Sequence, residues 1–235
     1  MSKRESEKTT SQQSPQDEGK EISGASGSPE EIRSQLILTG ADVVALGVEG
    51  EVLVGGKNYN TAIINELEDI RAPQFRAISA QAFHRVLDET RVNAGLIRRL
   101  VEQEYDNTDW SGIDANADPE FLRNFVRKTA AKVREGQARQ SKESLISLRK
   151  FINHVVEGFA LSPEGIDQLR KRSVLVQVAI LSVDLPEEVE EAVAEAYRNI
   201  CKEVGRDNVP VAVRSSAAGE DSRKKAFAGL QDTYL

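Results

Sequence analysis

The sequence predicts a mixed α/β (α+β) domain with a largely helical middle. Three observations carry this. Short apolar runs with β-branched residues stand towards both ends of the chain, at Val52–Val54 and Val209–Val213, as strands on a covered surface require, and Phe75–Ile78 reads as a further short strand. From Asn93 to Phe159 apolar residues recur at three- and four-residue spacings, the period of a helix face. Helix starts recur as well, at Asp118-Pro119, Ser162-Pro163-Glu164 and Leu185-Pro186-Glu187, where a capping residue or a first-turn proline opens the helix.

The 235 residues give ample length for a sizeable core, and a net charge of -7 argues against a general nucleic-acid binder, which needs a basic face. No apolar run reaches bilayer length, so no membrane role is expected. The N-terminus lacks the apolar segment of a secretory signal. One cysteine, Cys201, excludes an intrachain disulfide and points to a reducing, cytoplasmic setting; with two histidines it leaves little for a zinc site.

Residues 1–29 are rich in Ser, Gln, Glu, Lys and Gly, with Ile22 almost alone as an apolar side chain. Such a stretch buries too little surface to offset its chain entropy and is expected to be a disordered tail. Residues 30–235 are expected to form the domain. Ile37 to Leu46 is apolar around Gly40 and Asp42. Val52–Val54 then reads as a short strand feeding Gly55-Gly56-Lys57-Asn58, an arrangement that brings backbone and a cation close to a phosphate. It is not a Walker A loop, because Glu51 stands at the first glycine position and Asn58 replaces the Ser or Thr that meets magnesium. A glycine turn with a solvated lysine is the plainer alternative.

Thr61 to Ile70 has helical spacing through Ile63, Ile64, Leu67 and Ile70, and Pro73 stops it. After the Phe75–Ile78 strand, Ser79 is placed to cap a helix whose apolar face is Phe83, Val86 and Leu87. His84 lies opposite that face, at the surface. In the middle, Leu96, Ile97, Leu100 and Val101 form one stripe, and Phe121, Leu122, Phe125 and Val126 form the next. The acidic loop Asp106–Ala117 around Trp110 lacks calcium-loop spacing. Gly136–Lys142 breaks the pattern, and Leu145, Leu148, Ile152, Val155 and Val156 resume it, with His154 beside the stripe. The helix from Ser162 is expected to end at Arg172, with Lys171 and Arg172 facing the negative end of its dipole.

Val174–Val183 reads as a buried strand, with a packed helix as the alternative. A helix from Leu185-Pro186-Glu187-Glu188 follows, with Val189, Val193, Ala196, Ile200 and Val204 on one face and Gly205 as its stop. Val209–Val213 reads as a buried strand delivering Arg214 to a polar loop. A guanidinium there can make two parallel bonds to an oxyanion; a surface arginine in an ordinary turn is the alternative. No internal repeat is visible.

Word order adds to this. Arg214-Ser215-Ser216-Ala217, Glu220-Asp221 and Phe227-Ala228-Gly229-Leu230-Gln231-Asp232-Thr233 closely resemble the N-terminal nucleotide-binding domain of the phosphoenolpyruvate synthases. These pyruvate, water dikinases belong to a family that includes pyruvate, phosphate dikinase and rifampicin phosphotransferase. Gly55-Gly56-Lys57-Asn58, Ala72-Pro73-Gln74-Phe75 and Leu185-Pro186-Glu187-Glu188-Val189 are similar to further family blocks, in the family's order. The helical middle carries no matching motif. Gln74, where a glycine is common, and Lys224-Lys225, which make the last loop unusually basic, depart from the pattern.

The resemblance implies the N-terminal lobe of an ATP-grasp-like domain that binds ATP. Lys57 would contact phosphate, Arg214 would neutralise the transferred phosphates, and Gly229, Gln231, Asp232 and Thr233 would close over them. It also implies that the chain is the N-terminal part of a longer enzyme and inactive alone. Mg2+ ligands, the phosphohistidine domain and the pyruvate-binding barrel would lie downstream, and the whole enzyme could be a homo-oligomer. Rifampicin phosphotransferase-like and pyruvate, phosphate dikinase-like ATP domains, or a non-catalytic binding or regulatory module, are the alternatives.

Overall fold

A computed structural model of the chain describes residues 24–67, 70, 73–110, 119–138, 145–157, 165–216 and 233–234. The order is α1 (Pro29–Ser34), β1 (Ile37–Leu38), α2 (Gly40–Ala45), α3 (Val48–Asn65), β2 (Ala77–Ile78), α4 (Ala80–Glu89), β3 (Arg91–Asn93), α5 (Ala94–Asp106), α6 (Pro119–Gln137), β4 (Leu145–Ser147), α7 (Leu148–Val156), α8 (Ile166–Leu181), α9 (Glu187–Val204), β5 (Val213–Arg214) and β6 (Thr233–Tyr234). The fold is α+β and mostly helical, as expected. Its described strands form three antiparallel pairs, β1–β2, β3–β4 and β5–β6. The middle is interrupted by the β3–β4 pair, in which Val92 opposes Ile146.

Two main cores follow from the apolar spacing. The larger gathers Val92, Ile97, Val101, Val126, Phe151 and Val178 from β3 and α5 to α8. The smaller joins Ile32, Leu38, Val43, Val54, Ala62 and Ala77 around α1 to α3. A third cluster, Leu36, Ala82 and Val189, seats α9 on α4. Ion pairs fasten the same helix near both ends, Arg85 with Glu188 and Arg76 with Glu203. At its C-terminus Gly205 takes the left-handed conformation, φ 69° and ψ 29°, that stops a helix cheaply.

Four expectations are corrected. Val52–Val54 is helical, inside α3, which starts well before Thr61 and ends at Asn65. The segment packs on α2, and Gly50 allows it: a Cβ there would lie 2.4 Å from the Val43 carbonyl oxygen. Val174–Val183 is not a strand, and the helix does not end at Arg172; α8 runs on to Leu181. Val174, Leu175, Val178 and Ala179 are buried while Ile180 and Leu181 are exposed, which is a helical period. The basic run thus sits mid-helix and works locally. Arg170 and Lys171 lie over the Trp110 and Tyr105 rings at 5.5 and 5.4 Å, and Arg172 donates to the carbonyls of Val155 and Glu157 at 2.8 and 3.1 Å, closing the end of α7.

Third, Phe83 does not join the buried face of α4, which is made by Ala82 and Leu87; Phe83 is exposed. Ser79 does precede α4, but its hydroxyl donates to the Gln35 carbonyl at 2.6 Å and makes no cap bond. Fourth, Val209–Val213 is not a buried strand. Only Val213 enters β5, and it is 58% exposed, because a two-residue ladder has no face to bury. His84 and His154 are both exposed.

Residues 1–23 of the expected tail, Asp118, and the Ser162-Pro163-Glu164 start lie outside the described residues. The described part before α1 is tied down. The Ser26 N–H and hydroxyl each donate to Asp42 Oδ1 at 2.7 Å, and the Thr39 N–H and hydroxyl donate to Oδ2 at 2.8 and 2.6 Å. Burial alone pushes the Asp42 carboxyl up, but these bonds outweigh it and hold it below the usual carboxylate range. A depressed folded pKa contributes stability above the unfolded value of about 3.9 and loses it as pH falls through the folded value. Urea unfolding at pH 7 should therefore show Asp42→Asn less stable by about 1–3 kcal/mol. The difference should shrink as pH falls from about 5 to about 2.

Candidate functional site

Helix α3 is broken at Gly55, whose φ of 77° and ψ of 160° are not helical. That region is essentially closed to any residue with a Cβ. Val48–Val54 and Gly56–Asn65 therefore run as two helical segments, and the second begins at Gly56-Lys57. A helix start presents backbone N–H groups and the positive end of the dipole, both suited to an anion. Gly55 and Gly56 are buried and Lys57 is half-buried. The Asn58 amide donates to the Val54 carbonyl at 3.0 Å, bridging the break, and the Thr61 hydroxyl donates to the Lys57 carbonyl at 2.8 Å. Asn58 is thus engaged with backbone, where a Walker loop would place a metal-binding hydroxyl.

Gly55→Ala should cost about 1–3 kcal/mol through backbone strain alone. A lowered unfolding midpoint together with weakened ligand binding would show that the break serves the site as well as the fold.

Arg214 stands exposed in β5, directly opposite Thr233 of β6. The structure therefore brings these two predicted residues together. It does not bring Lys57 to them: among the described residues α3 packs chiefly on α2, α4 and β2, and β5 on β6. Gly229, Gln231 and Asp232 lie outside the described residues. Ser216, two residues beyond Arg214, has a buried hydroxyl with no hydrogen-bond partner. No sequence pattern shows that a serine hydroxyl is orphaned, so the motif Arg214-Ser215-Ser216-Ala217 carries no sign of it. The helix start with Lys57 and, apart from it, the Arg214 guanidinium are each donors of the kind that a phosphate accepts from. Among the described residues no three acidic, histidine or cysteine side chains group to hold a metal ion.

Residues 51–235 match the family model described as pyruvate phosphate dikinase, AMP/ATP-binding domain. The chain belongs to this family. The match to this AMP/ATP-binding domain takes in both the Gly55 break and the Arg214–Thr233 pair, and leaves α1, β1 and α2 ahead of it.

Among curated relatives, the phosphoenolpyruvate synthase of Pyrococcus furiosus is 25% identical over 185 residues, which is 78% of this chain and 19% of that protein. The probable phosphoenolpyruvate synthase of Methanocaldococcus jannaschii is 40% identical over 84 residues, 36% of this chain and 7% of that protein. The phosphoenolpyruvate synthase of Synechocystis is 44% identical over 79 residues, 32% of this chain and 10% of that protein. The chain thus spans about a fifth of the Pyrococcus relative's length. No solved structure matches it. No helix among the described residues is long and apolar enough to cross a membrane.

Proposed function

We propose that this chain is the ATP-binding part of a phosphoenolpyruvate synthase. In that enzyme ATP and water convert pyruvate to phosphoenolpyruvate through a phosphohistidine, releasing AMP and phosphate. The observation that carries the reading is the Gly55 break, which puts Lys57 at the head of a helix within the stretch matching the family's AMP/ATP-binding domain. Lys57 holds phosphate together with the N–H groups of that helix start. Arg214, with Thr233 opposite, supplies the second cation, and Gly229, Gln231 and Asp232 belong to the loop that closes on the nucleotide. Phosphoryl transfer needs positioning and charge neutralisation more than covalent help from the protein, and fixed cations provide both.

In this reading residues 30–235 are the N-terminal lobe of an ATP-grasp-like domain, to which the stretch from Ser26 is fastened through Asp42. Magnesium accompanies ATP on ligands supplied by other parts of the enzyme. Pyruvate is met by its other domains, and the single Cys201 accords with a reducing cytoplasm.

Titration calorimetry of this chain with ATP tests the reading. Binding is expected, and Lys57→Ala should weaken it by about 10- to 150-fold, the worth of one charge-assisted hydrogen bond of about 1.5–3 kcal/mol. Absence of ATP binding, or an unchanged Kd in Lys57→Ala, would remove Lys57 from the site.

A further inference from the structure

We propose that Asn58 is a positioning residue for the nucleotide site: its amide braces the break in α3 and so holds Lys57 in the orientation that meets phosphate. The inference rests on the reading of Lys57 as a phosphate-binding cation. It assigns to Asn58 no contact with the nucleotide.

Both halves of α3 are seated in the smaller core, the first through buried Val54 and the second through buried Ala62. The joint between them is Gly55, which has no side chain to pack and belongs to the residue type with the widest backbone freedom. A small rotation at Gly55 tilts the turn that follows, and Lys57 stands two residues on. Asn58 spans this joint. Its Nδ2 donates to the Val54 carbonyl at 3.0 Å, tying the first turn of the second half to the last residue before the break. From the other side the Thr61 hydroxyl donates to the Lys57 carbonyl at 2.8 Å, so the backbone around Lys57 is gripped before and after. An amide N–H spent on a backbone carbonyl acts on the helix head, not on a ligand. Where a group must meet reacting atoms, a misplacement of about 1 Å can cost about a hundredfold. The flexible stem of a lysine follows part of a tilt, so loss of the brace should cost less than loss of Lys57 itself.

The test combines amide hydrogen exchange with ATP titration calorimetry on this chain, for the parent, Asn58→Ala, Lys57→Ala and the double variant. Exchange at residues 56–60 should quicken in Asn58→Ala. The urea midpoint should stay near that of the parent, because Asn58 is half-buried and alanine is the strongest helix former. Asn58→Asp, close in shape but without an N–H when ionised, should repeat the faster exchange. The Kd for ATP should rise about three- to tenfold in Asn58→Ala, the worth of one neutral hydrogen bond. In the Lys57→Ala background the same change should move Kd by less than about twofold, whereas independent residues would add. A merely structural role would weaken binding alike in both backgrounds. The proposal is overturned if neither Asn58 variant quickens exchange, or if Asn58→Ala leaves the Kd unchanged. It is also overturned if Asn58→Ala costs as much without Lys57 as with it, which would make Asn58 a contact of the nucleotide. Those three outcomes leave the reading of Lys57 standing. A parent that binds no ATP, or a Lys57→Ala variant that binds it unchanged, removes that reading and this proposal together.

Discussion

Arg214→Ala should lower phosphohistidine formation in the proposed phosphoenolpyruvate synthase by roughly a thousandfold or more, the scale on which a single arginine supports phosphoryl transfer. The fold should survive, because Arg214 is exposed and its contribution to β5 is through backbone pairing with Thr233. Single-turnover labelling from ATP reads the rate, and circular dichroism with a urea midpoint reads the fold. Arg214→Lys separates charge from geometry, since an ammonium keeps the positive charge but not the planar fork. A partial rescue is expected. Near-normal labelling in Arg214→Ala would take the residue out of the mechanism.

The largest effect on stability should come from Phe151→Ala. Phe151 is 0% exposed at the centre of the larger core, with the Arg98 guanidinium 5.7 Å from its ring centre. Truncating a buried phenylalanine removes its transfer energy and leaves a cavity, a loss of about 3–5 kcal/mol. Set against a usual domain stability of about 5–15 kcal/mol, that is roughly a fifth of the total at the least. Phe151→Leu should lose much less, because most of the volume is kept. The urea midpoints of the two variants provide the comparison, and equal midpoints would show that the core collapses freely around the deletion.

Sequence and structure agree best where several local signals point the same way. Helix α9 has a proline before its first turn, acidic residues within that turn and a left-handed glycine at its end, and it forms as expected. Agreement fails where one signal stood alone. Val52–Val54 and Val174–Val183 are β-branched, but β preference mainly expresses a fit to a half-covered pleated surface. Here the available neighbours are helices. Val54 packs into the smaller core and Val174 and Val178 into the larger, so tertiary context overrides the residue type.

The site divides in the same way. Arg214 and Thr233 can be named as candidates from the sequence because the word order around them is distinctive, and Lys57 because its glycine pair resembles a family block. The broken helix that presents Lys57 is not legible, because its two flanking segments read alternately as strand and helix. The role of Asp42 is hidden in the sequence, since nothing in its neighbourhood shows that Ser26, sixteen residues earlier, returns to it. The orphaned hydroxyl of Ser216 is likewise a property of packing alone.

The two ion pairs of α9 differ in shelter. Arg85, near its first turn, has a side chain 43% exposed, whereas Arg76, near its last turn, is 13% exposed. Added salt screens exposed charges first, with a Debye length of about 3 Å at 1 M. Rising ionic strength therefore weakens the Arg85–Glu188 pair before the Arg76–Glu203 pair, and leaves the first turn of α9 held by the apolar contact of Val189 with Leu36 and Ala82, which salt does not screen.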